Sequence, residues 1–350
     1  MKSDIPEMTD RIVSLTAVYR DRGLTLARIV ADGAEPVRAA TADSEHNAAV
    51  ARRLADDGEP GPPVIGDWVG LDLDQDTAVV RVIAPRTTLL SRRRPGAAER
   101  PQLLAANVDR VLLVESLERG PNLRRIERGV AVAWNAGATP VVVLNKADLE
   151  PEWAAATTSV EAVAPAVEVV ACSAVDGSGL DALSRILGPG TTAVLLGPSG
   201  VGKSTLVNRL LDDDRLATGE VRAGDHKGRH TTTRRELVML ATGGALIDTP
   251  GIRELGLWLD TEAVDAAFPD IEALSTSCRF RDCRHDTEPG CAVRAAAERG
   301  DLDPDRFAGY LRMRAEAEAH ERRASPYLVR EHERRFARLV RDVKRLKGDG

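Results

Sequence analysis

Short apolar runs alternate with segments of helical periodicity in the middle of the chain. Apolar runs of this kind, separated by helices, are typical of parallel strands that are buried on both faces of a sheet. The pattern therefore predicts an α/β domain with a mostly parallel sheet. The apolar runs occupy residues 111–114, 140–144, 167–171, 192–196 and 245–247, and the helical segments occupy 123–134, 180–187 and 204–211.

The region before this domain, from about residue 24 to 90, has a different pattern of apolar and polar residues. β-rich stretches at 26–30, 68–73 and 78–83 alternate with turn-rich segments such as 57–63. This pattern predicts a small β-barrel or sandwich. The basic stretch 92–96, which contains Pro and Gly, marks the boundary with the α/β domain.

The region after about residue 265 begins with clustered cysteines and continues with helical periodicity over 305–323 and 327–346. Residues 330–347 carry eight Lys or Arg against three Asp or Glu. Such a helix is either a solvated amphipathic element or one that contacts phosphate groups, and the sequence leaves both readings open.

Composition limits the class of protein. The 350 residues are 43% hydrophobic and 29% charged, which is typical of a globular chain of two or three domains. A net charge of −6 excludes general coating of nucleic acid, and 3% aromatic residues argues against a surface that stacks many bases. Basic stretches such as 86–94 still allow docking on one shaped RNA–protein surface.

Neither a secretory signal nor an apolar run of the ~18–20 residues that cross a bilayer is found, so we expect a cytoplasmic protein without membrane contact.

A glycine-rich loop follows the apolar run 192–196 and has the form G-x-x-x-x-G-K-S. Its backbone amides are suited to surround phosphates, Lys203 to reach their outer oxygens during catalysis, and the Ser204 hydroxyl to bind Mg²⁺. The predicted nucleotide-binding residues here are Gly197, Pro198, Ser199, Gly200, Val201, Gly202, Lys203, Ser204 and Thr205.

Asp248-Thr-Pro-Gly251 follows the run 245–247. At this place a nucleotide hydrolase needs a carboxylate for Mg²⁺ and a glycine amide near the γ-phosphate, so Asp248 and Gly251 are assigned these roles. The hydroxyl-rich loop 228–233 is either the segment that closes over Mg²⁺, with Thr232 as a ligand, or a capped turn.

The tetrapeptide Asn145-Lys146-Ala147-Asp148 follows the run 140–144. An Asp carboxylate accepts hydrogen bonds from guanine N1–H and the exocyclic amine, while an Asn amide faces N7 and O6. The tetrapeptide therefore indicates a guanine nucleotide, GTP or GDP. Ser173 and Ala174 form a second loop whose backbone is suited to support the guanine oxygen.

Three cysteines and a histidine, Cys278, Cys283, His285 and Cys291, fall within a short segment. Three thiolates and one imidazole complete a tetrahedral shell for one structural Zn²⁺ without an open position. The alternative is a set of free thiols beside an exposed histidine. The fourth cysteine, Cys172, is interpreted as a partly buried residue at a strand end.

The order of the motifs is permuted, because the guanine motifs precede the phosphate loop. With this order, the chain resembles the bacterial circularly permuted family called ribosome small-subunit-dependent GTPase A from about residue 20 to 325. The resemblance is sharpest at 105–109, 145–148, 197–204, 230–233, 243–251 and the cysteine cluster.

This resemblance implies an N-terminal OB-fold barrel that binds RNA, a circularly permuted P-loop GTPase domain and a mostly helical zinc-binding domain. The corresponding division is an N-terminal extension at 1–20, the barrel at 21–98, the GTPase domain at 99–266 and the zinc-binding and helical domain at 267–350. The resemblance also implies a monomer that acts on the small ribosomal subunit and its 16S rRNA in late maturation, including release of assembly factors.

Catalysis departs from the Ras pattern, in which a Gln directly after Asp-x-x-Gly orients the attacking water. Ile252 occupies this position and cannot bond to water, so we expect slow intrinsic hydrolysis that depends on another group or a partner. The resemblance makes His230 the first catalytic candidate, with stabilisation of its loop as the alternative.

Two other functions are compatible with parts of this pattern. One is a nucleotide-gated module that binds a protein and in which hydrolysis is incidental. The other is an ATP-dependent enzyme, which conflicts with Asn145 and Asp148.

Overall fold

The computed structural model describes residues 10–32, 36–55, 61–74, 77–93, 101–165, 167–211, 235–248 and 261–321. The strands are β1 Thr25–Asp32, β2 Val37–Ala40, β3 Glu45–Val50, β4 Trp68–Asp72, β5 Ala78–Ile83, β6 Leu89–Arg93, β7 Pro101–Ala106, β8 Arg110–Ser116, β9 Thr139–Asn145, β10 Glu168–Ala171, β11 Thr192–Leu196, β12 Arg235–Met239 and β13 Ala245–Asp248. The helices are α1 Asp10–Arg20, α2 Arg52–Ala55, α3 Leu123–Asn135, α4 Trp153–Val163, α5 Leu180–Ile186, α6 Lys203–Leu211, α7 Thr261–Ala267, α8 Pro269–Ser275, α9 Ala292–Arg299 and α10 Pro304–Glu321.

The central sheet has the order β10-β9-β8-β11-β13-β12, and all of its strands except β12 pair in parallel. Alternate residues of each strand enter different cores. In β8, Val111 packs in the core that contains α3, whereas Leu112 packs in the core that contains α5 and α6. This confirms the predicted parallel sheet and explains why its strands are continuous apolar runs.

The N-terminal strands form a closed barrel rather than a sandwich. Their order is β1-β2-β3-β5-β4, and β4 pairs again with β1. The β3–β5 pair is parallel, and the other pairs are antiparallel. This is the five-stranded OB-fold arrangement that the sequence led us to expect.

The barrel and the central sheet are continuous, because β1 also pairs with β12 through Ala31↔Glu236 and Asp32↔Arg235. Within the described residues, this pairing produces one sheet of eleven strands. β6 and β7 pair across the boundary set at residue 98, and the connection between them lies outside the described residues. The division into four segments stays a prediction.

The described C-terminal region is helical, as predicted, and α7 and α10 pack against α3 of the central domain. The Phe268 and Tyr310 rings meet edge to face with centroids 5.4 Å apart. No helix in the described parts of the chain combines the length and apolar character needed to cross a membrane.

Candidate nucleotide and metal sites

The predicted nucleotide motifs converge at one edge of the central sheet. β9, β10, β11 and β13 run parallel, so the loops that follow them start at the same edge. Direct hydrogen bonds link these loops, such as the one from the Ala147 N–H to the Cys172 carbonyl at 3.1 Å. Ligands bind at this edge in open α/β sheets.

Glycine is required at three positions of the phosphate loop. Gly197, Gly200 and Gly202 have φ angles of 154°, 84° and 90°. A Cβ on Gly197 would lie 2.3 Å from the Val114 carbonyl oxygen, and one on Gly202 would lie 2.4 Å from Asn145 Nδ2. The loop therefore packs directly on β8 and on the base-recognition motif, and a side chain at Gly197 or Gly202 would displace it.

The loop leads into α6, whose first residues carry the polar groups. Lys203 Nζ donates to the carbonyl oxygens of Gly197 and Pro198 at 2.7 and 2.6 Å. Ser204 is exposed, Thr205 is half-buried, and both lie in the first turn. The free N–H groups of a helix start and a lysine beside a glycine loop are suited to hold phosphate.

Asn145 connects the loops. Its side chain is buried, with Nδ2 donating to the Val201 carbonyl at 2.8 Å and Oδ1 accepting from the Ala174 N–H at 3.1 Å. The amide was predicted only to face the base. The structure adds a bridging role between the phosphate loop and the 173–174 loop, which no sequence signal indicates.

Lys146 and Asp148 lie at the start of the short 3-10 helix that follows β9. Lys146 has φ 66°, in the left-handed region, and its Nζ donates to Glu118 Oε2 at 2.7 Å. This hydrogen bond holds the pKa of Glu118 below its usual range. Asp148 is exposed in the short helix Ala147–Leu149, where its carboxylate is accessible to a base.

Ser173 gives the neighbouring loop its shape. Its buried hydroxyl accepts from the backbone N–H groups of Val175 and Asp176, each at 3.2 Å. Cys172 beside it is fully buried, which corrects the expectation of partial burial, and burial raises the pKa of its thiol to about 12.

Part of the predicted site lies outside the described residues, namely His230, Thr232 and Gly251, as does the basic segment 330–347. Asp248 is described as the last residue of β13. Because Ile247 pairs with Val194 of β11, the backbone of Asp248 lies next to the strand that leads to the phosphate loop.

The cysteine and histidine cluster is assembled as predicted. The ligand atoms of Cys278, Cys283, His285 and Cys291 all lie within 4.8 Å of one another. Cys278 Sγ lies 4.0 Å from Cys291 Sγ and 3.6 Å from His285 Nδ1. Metal–ligand bonds of about 2.3 Å to sulfur and about 2.0 Å to nitrogen give tetrahedral edges of about 3.8 and 3.5 Å. The cluster therefore fits a tetrahedral metal ion.

Local structure holds these ligands in place. Cys291 is the N-cap of α9 and accepts the Arg294 N–H at 3.4 Å, while His285 adopts φ 63°. Burial, followed by the charge of Arg314, lowers the pKa of His285 and favours the neutral imidazole that binds metals.

Comparison with known proteins agrees with this geometry. The family model described as RsgA GTPase matches residues 83–258. A protein of Opitutus terrae, "Small ribosomal subunit biogenesis GTPase RsgA", is 46% identical over 288 residues, which cover 79% of this chain and 78% of the relative. The chain belongs to the RsgA GTPase family. A relative of the same name from Streptomyces avermitilis is 47% identical over 254 residues, covering 71% of this chain and 68% of the relative.

Two solved structures agree with the architecture. YjeQ from Thermotoga maritima superposes with a TM-score of 0.64 at 25% identity, covering 84% of this chain and 98% of its own. YloQ, described as a circularly permuted GTPase, gives a TM-score of 0.61 at 22% identity, with coverage of 85% and 96%. The permuted fold is confirmed, and the enzyme class of this RsgA-family chain is that of a GTPase.

Proposed function

We propose that this chain is a guanine-nucleotide switch that acts in late maturation of the small ribosomal subunit, including release of assembly factors. Its relatives carry the name of a small ribosomal subunit biogenesis GTPase. The observation that carries the nucleotide part is the bridge by Asn145, which joins the base-recognition loops to the phosphate loop at one sheet edge.

Each motif has a distinct task in this proposal. Asp148 accepts hydrogen bonds from guanine, and the loop 197–202 surrounds the phosphates with backbone N–H groups. Lys203 lies beside the outer phosphate oxygens. Ser204, Asp248 and Thr232 are the residues that would hold Mg²⁺, which neutralises charge on the phosphate oxygens. Gly251 offers its amide to the γ-phosphate.

Hydrolysis by the chain alone is slow in this account, because Ile252 cannot orient the attacking water. His230 is the candidate for this task, and binding of the small subunit is the event that places it. The metal cluster, with Zn²⁺ as its proposed ion, has a structural role because protein side chains supply four ligands.

The barrel and the C-terminal region are the proposed contacts to 16S rRNA. The OB-fold is a common oligonucleotide-binding module, and Arg92, Arg93 and Arg94 follow one another without an acidic residue. Arg86 of the same basic stretch is not available to RNA, because its buried guanidinium pairs with Asp67 at 2.7 Å. We propose a monomer in the cytoplasm. The alternative function, a nucleotide-gated module that binds a protein, requires the same nucleotide site but no stimulated hydrolysis.

The test is turnover of GTP and of ATP by the full chain, with and without purified small ribosomal subunits. We expect GTP turnover to be slow alone and to rise about tenfold or more with subunits, as partner-supplied positioning does in other GTPases. Lys203→Ala is the inactive control. GTP turnover that subunits do not stimulate would favour the protein-binding module, and turnover of ATP as fast as that of GTP would contradict the guanine assignment.

A further inference from the structure

A buried arginine lies between the barrel and the central sheet. Arg28, in β1, is 2% exposed. Its guanidinium donates to Thr192 Oγ1 at 2.8 Å and to the carbonyl oxygens of Asn107 and Gly66, each at 3.4 Å. It also lies 5.1 Å from the centre of the Trp68 ring. A barrel side chain thus reaches into the central domain.

The two acceptors in the central domain are at the starts of neighbouring strands. Thr192 is the first residue of β11, which ends at the phosphate loop, and Asn107 lies shortly before β8. Val114 of β8 supplies the carbonyl oxygen against which Gly197 is packed. One guanidinium nitrogen of Arg28 therefore contacts the beginnings of both strands that support the phosphate loop.

The barrel side of this contact is closely packed. The Gly66 carbonyl accepts from Asn107 Nδ2 at 3.0 Å as well as from Arg28. A Cβ on Gly66 would lie 2.1 Å from the Ala106 carbonyl oxygen. Asn107 itself has φ 54° and receives hydrogen bonds from Thr87 at its Oδ1. Little displacement of Arg28 is compatible with these contacts.

We propose that Arg28 is a positioning residue for the nucleotide site. It holds β8 and β11 in one register against the barrel, so that the phosphate loop keeps the shape that binds phosphates. The inference concerns nucleotide retention by the chain alone and does not depend on the ribosomal part of the proposed function.

The chemistry favours arginine at this position. A planar guanidinium donates in several fixed directions, whereas a lysine ammonium is a compact donor on a flexible stem. Arg28→Lys should therefore retain nucleotide less well than wild type but better than a variant without a donor at this position. Thr192→Val removes the acceptor hydroxyl of Thr192 and keeps the volume of its side chain nearly unchanged.

The test is a double-mutant cycle with Arg28→Met and Thr192→Val. The readout is the release rate of a fluorescent methylanthraniloyl derivative of GDP from the full chain, measured well below the unfolding temperature. We expect each single variant to release the nucleotide about three- to tenfold faster, and the double variant to be no faster than the faster single variant. The matched control is Arg38→Met. Arg38 of β2 pairs with Glu236 of β12, so this pair also joins the barrel to the central sheet, but both side chains are partly exposed.

Three results would overturn the proposal. One is release by both single variants within twofold of wild type, even with a lower unfolding temperature, which would make Arg28 a scaffold residue only. Another is additive acceleration in the double variant, and the third is an equal effect of Arg38→Met. If Arg28→Met fails to fold, Thr192→Val decides alone, and a wild-type release rate for it would contradict the proposal.

Discussion

The central domain is joined to its two neighbours in different ways. The barrel is attached through backbone hydrogen bonds between β1 and β12 and through the buried Arg28. The C-terminal region is attached through side chains, including paired hydrogen bonds from Arg128 to Glu316 at 2.7 and 2.8 Å. The barrel attachment combines strand pairing, which does not depend on charge, with one largely buried ion pair between Arg235 and Asp32 at 3.3 Å. The C-terminal attachment has no strand pairing among the described residues and relies on apolar packing against α3, on several ion pairs and, in our account, on a metal.

Arg306 lies at the centre of the contact between the C-terminal region and the central domain. It bonds to Glu127, donates to Asp270 at 2.7 Å and lies 4.6 Å from the centre of the Phe268 ring. Burial raises the pKa of Glu127 more than the nearby Arg306 lowers it. The charges at this contact are therefore costly to bury and strongly dependent on each other.

Metal removal should give the largest difference between the two attachments. Structural Zn²⁺ contributes about 10–16 kcal/mol in isolated zinc-finger peptides, so chelation should disorder the C-terminal region and leave the barrel and central sheet folded. Hydrogen exchange followed by mass spectrometry would locate the change. If the barrel lost its protection from hydrogen exchange at the same time, the two attachments would not differ in their dependence on the metal.

Alkylation with iodoacetamide at pH 8 gives the matching chemical readout. After chelation, Cys278, Cys283 and Cys291 should be modified, and Cys172 should not, because burial raises its pKa to about 12. Modification of Cys172 at the same rate would show that the central domain opens as well.

Arg306→Ala should cost about 3–5 kcal/mol of unfolding free energy, because it leaves Glu127 buried without the arginine that bonds to it. Urea denaturation measures this loss. The control is Arg299→Ala, which removes an exposed pair with Asp301 at 2.9 Å and should cost less than about 1 kcal/mol. If the two variants lost equal unfolding free energy, the buried ion pair of Arg306 would contribute no more to stability than an exposed one.

The pH dependence should show a smaller effect at the same contact. The pKa of Glu127 is raised above its usual 4.5 in the folded chain, so the folded state retains this proton better than the unfolded state. Its contribution to stability is complete below that usual value and is lost as pH rises through the folded pKa. Glu127→Gln should reduce this decline, measured by urea titration from pH 4 to 7. An unchanged slope would contradict the assignment.

The smallest effect should come from the half-exposed ion pair between the barrel and β12. Arg38→Ala removes the half-exposed pair with Glu236 at 3.0 Å and should change the unfolding free energy by about 1 kcal/mol or less. A loss as large as that for Arg306→Ala would show that a half-exposed ion pair holds the barrel as strongly as a buried one holds the C-terminal region.

The parallel sheet and the sites on it were predictable because both follow local rules. Residues 141–144 form a continuous apolar run since they are buried on both faces of the sheet. The loops after such strands lie at one edge, so motif spacing alone placed the base and phosphate motifs together. The clustered cysteines were likewise sufficient to predict a metal site.

Features that depend on tertiary contacts could not be predicted. Strand β3 has a single fully buried residue, Ala48, and no strong apolar pattern, and α1 is equally weak in pattern. The pairing of β1 with β12 joins residues about 200 apart in the chain, and the Asn145 bridge joins loops whose contact only the fold creates. Sequence patterns contain no signal for such contacts.

The most direct test of the account exchanges the base that the chain recognises. Asp148→Asn replaces an acceptor for the guanine amine with an amide that can donate to the corresponding carbonyl of xanthine. Turnover of GTP and of xanthosine triphosphate is measured for both proteins, with and without purified small subunits. We expect subunits to stimulate wild type with GTP and the variant with xanthosine triphosphate, each preference being about a hundredfold. Stimulation that ignores the base, or no stimulation of either protein, would contradict the account.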